Sequence, residues 1–324
     1  MTRVLIMTAV AAVLSGVLGR LLLPVLRALK AGQSIRELGP TWHNNKAGTP
    51  MMGGLMFIFA SIICLLICIP TMQEYTVFYA LIPALCFGLI GFLDDFTKIK
   101  FKRNLGLTSW QKASLQLIVS VLYLYLLYKE GSLSCNLYIP FANISLTVHP
   151  MVYIFFAMFV MVGCVNAVNL TDGVDGLSSS VTIPVMIFFT AAAVAMGRFD
   201  LALLPASLIG GLIAYLFYNW HPAKVFMGDT GSLFLGGVVC AMAFALDMPL
   251  ILILVGFVYI CETMSVILQV GYFKLTHGKR RCKMSPIHHH FEMCGWKEEK
   301  VVLVFSAVSA VMCVLAWCGI SGLV

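Results

Sequence analysis

Charge is what this chain has least of. Asp, Glu, Lys and Arg make up 11% of its 324 residues, against about a quarter of an average soluble domain. Only 14 residues are acids. Hydrophobic residues reach 60%, with a mean hydropathy of +0.96. A water-soluble globule and a disordered chain are both excluded, and a polytopic membrane protein remains. The long apolar runs lack the apolar–polar alternation of a membrane barrel, so the spans are expected to be helices. No internal repeat or low-complexity tract interrupts them. No small-residue cleavage site clearly closes the first apolar segment, Val4 to Leu29, which reads as a span rather than a signal peptide. No folded basic domain is present, so the net charge of +7 is a topology signal and nucleic acid is not an expected partner. Eight of the eleven cysteines (Cys64, Cys68, Cys86, Cys164, Cys240, Cys261, Cys313 and Cys318) fall in apolar runs, where they read as small packing residues rather than disulfide partners.

A helical span takes about 20 apolar residues, because a 1.5 Å rise must cross about 30 Å of hydrocarbon. The expected fold is therefore all-α, a single transmembrane domain over 1–324 with ten helices near 3–29, 51–69, 76–93, 110–128, 150–168, 177–196, 201–217, 231–247, 249–275 and 300–323. The ninth run is too long for an upright span and should tilt, project beyond the bilayer, or break near Gly256 or Gly271. Connections 30–50, 94–112, 169–176, 218–230 and 276–299 carry fourteen Lys and Arg, whereas the opposite side offers Arg3, Lys129 and Arg198. By the positive-inside rule the first set is cytoplasmic and both termini face outward. The longest outward connection, 129–149, has the pattern of a small surface hairpin.

The few acids are not scattered. Asp94, Asp95, Asp172, Asp175 and Asp229 all fall at cytoplasmic helix ends, arriving from three connections. Solvation at a helix end suffices for Asp200 or Glu298. It suffices less well for Asp94 and Asp95, which directly follow Gly-Phe-Leu at the end of a span. Clustered carboxylates are hard ligands that suit magnesium together with substrate phosphates. Lys98 shares their face if the helix continues, and Lys100, Lys102 and Arg103 follow; acids, bases and a metal are the parts of phosphoryl transfer. Asn166-Ala-Val-Asn169-Leu-Thr-Asp172-Gly-Val-Asp175-Gly176 puts two Asp, two Asn and a Thr at a Gly-bearing turn. In Gly228-Asp229-Thr-Gly-Ser232, Thr230 or Ser232 is placed to cap the helix that follows. Asn219 and Phe226 suit either nucleobase recognition or interfacial packing. Glu262, inside the ninth run, reads first as a partner for a neighbouring helix. In Pro286-Ile-His288-His289-His290-Phe291-Glu292, three adjacent imidazoles cannot face one metal, and Cys282 and Cys294 match no zinc-finger spacing. Contacts to phosphate oxygens or carboxylates fit the three better.

Together these motifs resemble those of the polyprenyl-phosphate N-acetylhexosamine-1-phosphate transferases, in order and over nearly the whole chain. Lys46-Ala-Gly-Thr49-Pro-Met-Met-Gly-Gly54 and the triple-His loop are closest to members acting on a muramoyl-pentapeptide. The resemblance implies transfer of phospho-N-acetylmuramoyl-pentapeptide from UDP-MurNAc-pentapeptide to undecaprenyl phosphate, giving lipid I and UMP, in a multi-pass protein of the bacterial plasma membrane. It implies Mg2+ with Asp229 as ligand, Asp94 as base or positioning group for the lipid phosphate, and Asp95 beside it. It implies His288 in the catalytic group and His289 and His290 near the substrate. Contacts to uridine and diphosphate would come from Lys46, Lys98, Lys102, Asn169, Asp172, Asp175, Asn219, Phe226 and Gln269. It also implies a homodimer. Met51 departs from the pattern, standing where the family usually has a second Thr. A sister enzyme using UDP-N-acetylglucosamine is the alternative, and a secondary transporter the non-enzyme rival; acids crowded on one face argue against transport.

Overall fold

A computed structural model describes residues 2–29, 48–101, 103, 105–131 and 133–323. Lys46 and Lys102 lie outside the described residues. The chain forms twelve α-helices among the described residues: α1 (Thr2–Ala28), α2 (Leu55–Cys68), α3 (Thr76–Phe101), α4 (Ser109–Glu130), α5 (Pro150–Thr171), α6 (Leu177–Ala195), α7 (Leu203–Asn219), α8 (Gly228–Ala245), α9 (Leu252–Val255), α10 (Phe257–Leu275), α11 (Ile287–Met293) and α12 (Glu298–Gly319). Every apolar run expected to be helical is helical. Helices α1, α3, α5, α6, α8 and α12 are long and apolar enough to cross a membrane. The segment 249–275 makes a seventh if its two arms count as one span, while Leu55–Thr71 and α7 are apolar but shorter. The chain is therefore a multi-pass helical membrane protein.

The ninth run breaks at Gly256, where its arms meet at 81°; α10 then continues unbroken through Gly271. The expected outer hairpin is present as antiparallel strands β1 (Asn136–Ile139) and β2 (Ile144–Thr147), in the register Asn136↔Thr147. It is the one sheet among the described residues. All eleven cysteines are free thiols.

The connections at 94–112, 169–176 and 218–230 are shorter than expected, because helices run on past their apolar stretches. Helix α3 carries Asp94 and Asp95 within it and ends only at Phe101. Ion pairing of Lys98 with Asp94 one turn earlier supports that extension, as do Lys98 and Lys100 near the negative end of the helix dipole. Helix α5 likewise holds Asn166 and Asn169 and ends at Thr171, and α11 lies inside the 276–299 connection. Met51, the departure from the family pattern, is buried.

Helix α8 is the axis of the bundle. Every one of its residues except Asp229 and Ala245 is buried, packed against α3 and α5 above all. The approach of α3 depends on a glycine: a Cβ at Gly91 would sit 2.1 Å from the carbonyl oxygen of Asp229. Gly91→Ala is therefore expected to force the two helices apart at a cost of about 2 kcal/mol. The measurement is the thermal midpoint of the detergent-purified protein, and a midpoint equal to wild type would show the helices crossing elsewhere.

Candidate active site

The first turn of a helix leaves backbone N–H groups without partners. Helix α8 has no capping side chain of its own, because it begins at Gly228, ahead of the two residues expected to cap it. Thr230 and Ser232 instead lie inside the helix, and the Ser232 hydroxyl donates to Gly228 O at 3.0 Å. Asp95 of α3 supplies the cap from outside. Its carboxylate accepts from Asp229 N at 3.2 Å, Thr230 N at 2.9 Å and the Thr230 hydroxyl at 2.7 Å. A carboxylate at this positive helix end satisfies both the dipole and the orphan donors. Gly228 makes room for it: the residue has φ +74°, and a Cβ there would lie 2.5 Å from Asp95 Oδ2.

With Asp95 so engaged, Asp94 and Asp229 form the open part of the centre. The three carboxylates offer oxygens that all lie within 4.8 Å of one another. Lys98 Nζ is 2.6 Å from Asp94, 3.3 Å from Asp229 and 3.7 Å from Asp95. A second ammonium comes from Lys112 in the first turn of α4, in direct contact with Asp229 and 3.8 Å from Asp94. Asp94 also accepts from Leu107 N at 2.8 Å. Asn169 of α5 donates to Asp229 Oδ1 at 2.9 Å and to the Ser232 hydroxyl at 2.8 Å. Three carboxylates against two ammonium groups leave a formal charge of −1. Hard oxygens, close together and short of positive charge, fit a divalent cation such as magnesium; Asp229 and Asp94 have the oxygens to hold it.

Lys112 is the member that sequence reasoning counted only as a topology signal. Its oddity was visible: a cation in the first turn of a helix opposes the dipole, and Thr108 and Gln111 mark that turn with a complete capping box.

The remaining expected site residues divide by what their polar atoms already meet. Asn219 Oδ1 accepts from Gly176 N at 3.0 Å and its Nδ2 donates to Val225 O at 2.9 Å, stapling the 172–176 turn to the segment before α8. Asp175 Oδ2 accepts from Ala223 N at 3.1 Å and lies 3.0 Å from His221 Nδ1, which is also 3.4 Å from Glu298. Gln269 accepts from Arg281 N and Cys282 N and donates to Cys282 O, clamping the loop after α10. Phe226 pairs through its backbone with Pro50 and Gly53. His288 is buried against the 172–176 turn, whereas His289 pairs with Glu292 at 2.6 Å and His290 accepts from Lys283 N.

A multi-pass helical bundle with a lysine-bridged carboxylate centre at one helix end has the parts that phosphoryl transfer at a membrane requires. More particularly, this chain belongs to glycosyl transferase family 4, which its residues 76–247 match. It is 50% identical over 307 residues to the phospho-N-acetylmuramoyl-pentapeptide-transferase of Clostridium perfringens (strain 13 / Type A), covering 94% of this chain and 95% of that one. The protein of the same name from Clostridium acetobutylicum is 49% identical, over 92% of this chain and 93% of its own. That of Caldanaerobacter subterraneus subsp. tengcongensis is 47% identical, over 90% and 91%.

Asp172, in the turn after α5, carries a carboxyl pushed up to about 8, first by withdrawal from water and then by the negative charges of Asp229, Asp95 and Asp175. A folded-state value above the unfolded one means stability present at low pH and lost as pH rises through the folded value. In divalent-free protein, that contribution should disappear between about pH 4, the ordinary carboxylate range, and about 8. Asp172→Asn is expected to hold its thermal midpoint over this window better than wild type. Parallel curves for the two proteins would contradict the assignment.

Proposed function

We propose that this protein transfers phospho-N-acetylmuramoyl-pentapeptide from UDP-MurNAc-pentapeptide to undecaprenyl phosphate, giving lipid I and UMP. The observation that carries the reading is the junction of Asp94 and Asp229 through Lys98 and Lys112, in a chain whose relatives bear the name of that transferase. The topology that goes with it is ten spans forming one domain, both termini outside, and the centre on the cytoplasmic face of a bacterial plasma membrane. The working unit is a homodimer.

The chemistry follows from charge. A phosphate monoester has its second pKa near 6, so the acceptor phosphate is largely dianionic at neutral pH and already a nucleophile. Its oxygen attacks the β-phosphorus of the donor. The bond from that phosphorus to the bridging oxygen breaks, and UMP carries the electron pair away. The difficulty is bringing two anions together, which is a matter of positioning and neutralisation. Lys98 of α3 and Lys112 of α4 reduce the repulsion. Asp94 orients the acceptor phosphate and takes its remaining proton when it arrives as the monoanion. Asp95 holds the first turn of α8, and Asn169 holds the Asp229 side chain. Asp229 and Asp94 are the residues that would hold magnesium, which would supply neutralisation of the diphosphate charge when bound. The turn at Asp172 and Asp175, with Asn219 and Phe226, frames the uridine; Lys46 and Lys102 contact phosphates; Gln269 shapes the loop that brings His288, His289 and His290 to the donor.

Two measurements test this. Purified protein in detergent should release UMP from UDP-MurNAc-pentapeptide when undecaprenyl phosphate and magnesium are supplied, and not from UDP-N-acetylglucosamine. Asp229→Asn should reduce that release by about a thousandfold; near-normal magnesium-dependent turnover would remove Asp229 from the centre. Direct attack also requires that labelled donor without acceptor leave no label on protein, and a trapped phosphoaspartate would replace the one-step route with a covalent one.

A further inference from the structure

Glu262 lies fully buried on α10, where a carboxylate is costly unless another group answers it. It faces His288 of α11, also fully buried, with Nδ1 at 3.0 Å from Oε2. The approach is an ion-pair contact without hydrogen-bond geometry: among the described residues neither oxygen of Glu262 and neither ring nitrogen of His288 has a hydrogen-bond partner. An orphaned buried polar atom costs about 1–3 kcal/mol, so a structural anchor alone is a poor account of this pair. The nitrogen away from Glu262 is directed at the turn that borders the centre: a Cβ at Gly173 would come within 2.2 Å of His288 Nε2. The ring of His289 packs edge-on against that of His288 at 4.1 Å. Helix α10 follows the 81° bend of the chain at Gly256.

We propose that Glu262 is a positioning residue for His288. Its carboxylate fixes Nδ1 as the protonated nitrogen and holds the ring plane, so that Nε2 is the nitrogen that meets the sugar nucleotide over the Asp172–Gly173 turn. This rests on the sugar-nucleotide reading above. Imidazoles oriented by a carboxylate on the far nitrogen are a general device for presenting the near one. Here the device also ties the bent helix α10 to the donor side of the centre. Ligand entry would give Nε2 the partner it lacks.

The test compares Glu262→Leu, Glu262→Gln, His288→Ala and the Glu262→Leu/His288→Ala pair in the full chain, by UMP release from UDP-MurNAc-pentapeptide. Glu262→Leu should lower kcat/KM by about 10–100-fold, and Glu262→Gln, which keeps an acceptor for Nδ1–H, should recover most of it. In the His288→Ala background, Glu262→Leu should cost no more than about twofold further. Additive losses, or a Gln variant no better than Leu, would overturn the proposal. Spectra of 15N-histidine protein read the pair without turnover. The Nδ1–H signature of His288 should be present in wild type and lost in Glu262→Leu, and the Nε2 signal should move when UDP-MurNAc-pentapeptide is added. Failure of the functional reading shows separately, as wild-type protein that makes no UMP. The Nδ1–H signature still decides the pairing in that case, and its equal presence in Glu262→Leu would reject it.

Discussion

The organising constraint is the N-terminus of a buried helix. Helix α8 runs through the middle of the bundle with almost no exposed side chain, so the N–H groups of its first turn cannot rely on water. Asp95 satisfies two of them from α3. That single requirement dictates much of the local architecture. Helix α3 must stay helical beyond its apolar stretch to carry the carboxylate far enough. Gly91 must lack a side chain so that the helices touch, and Gly228 must take a left-handed conformation against the capping oxygen. The residue before Asp95 then projects beside the cap, and Asp94 meets Asp229 at the same point. The acidic pair is thus divided in function: one carboxylate builds the helix junction and its neighbour is left for chemistry.

A second level of order keeps the cations in place. Lys112 and Gln116 lie one turn apart on α4, and Asn166 and Asn169 lie nearly one turn apart on α5. Gln116 and Asn166 join side chains, with Asn166 Nδ2 donating to Gln116 Oε1 at 2.7 Å. This amide pair fixes the two helices against each other one turn away from the centre, so that Lys112 and Asn169 reach the same carboxylate from different sides. Amides suit the task because they hydrogen-bond reciprocally without adding charge to a site already dense with it.

Legibility from sequence followed the strength of each physical signal. Apolar length located every long helix, since lipid permits few alternatives to a satisfied backbone. A tilt, a projection or a break of the ninth run was expected because 249–275 exceeds a bilayer, and glycine offered two places for the break that is found. Helix ends were harder. Asp94, Asp95 and Asn169 fell in the expected connections because they are polar, yet the backbone stays helical through all three, and each has a partner outside its own helix. Clustering of Asp94, Asp95 and Asp229 could be read from scarcity: so few acids, so many at the ends of spans. Their separate roles could not, because a cap supplied by another helix leaves no local pattern at the helix it caps. Lys112 was obscured by the positive-inside rule, which gives every basic residue on that face a sufficient reason to be there.

Motif residues therefore need not be ligands. Asn219 and Gln269 each have donors and acceptors already met by backbone groups of neighbouring loops, and Asp175 secures the segment at Ala223. Such residues hold the walls at fixed spacing, whereas Asp94, Asp229, Lys98 and Lys112 meet one another in ion pairs, the contacts that the proposed reaction would exchange for substrate and metal. The division has an energetic logic. Charges positioned before the substrate arrives need little reorganisation during reaction, but mutual repulsion or collapse must be prevented meanwhile. Lysines among the carboxylates prevent repulsion, and the amide-stapled loops, with Asp95 anchored on the helix end, prevent collapse. His288 stands apart from both groups: it is buried between Glu262, 3.0 Å from Nδ1, and the Gly173 turn beside Nε2, and neither ring nitrogen has a hydrogen-bond partner among the described residues.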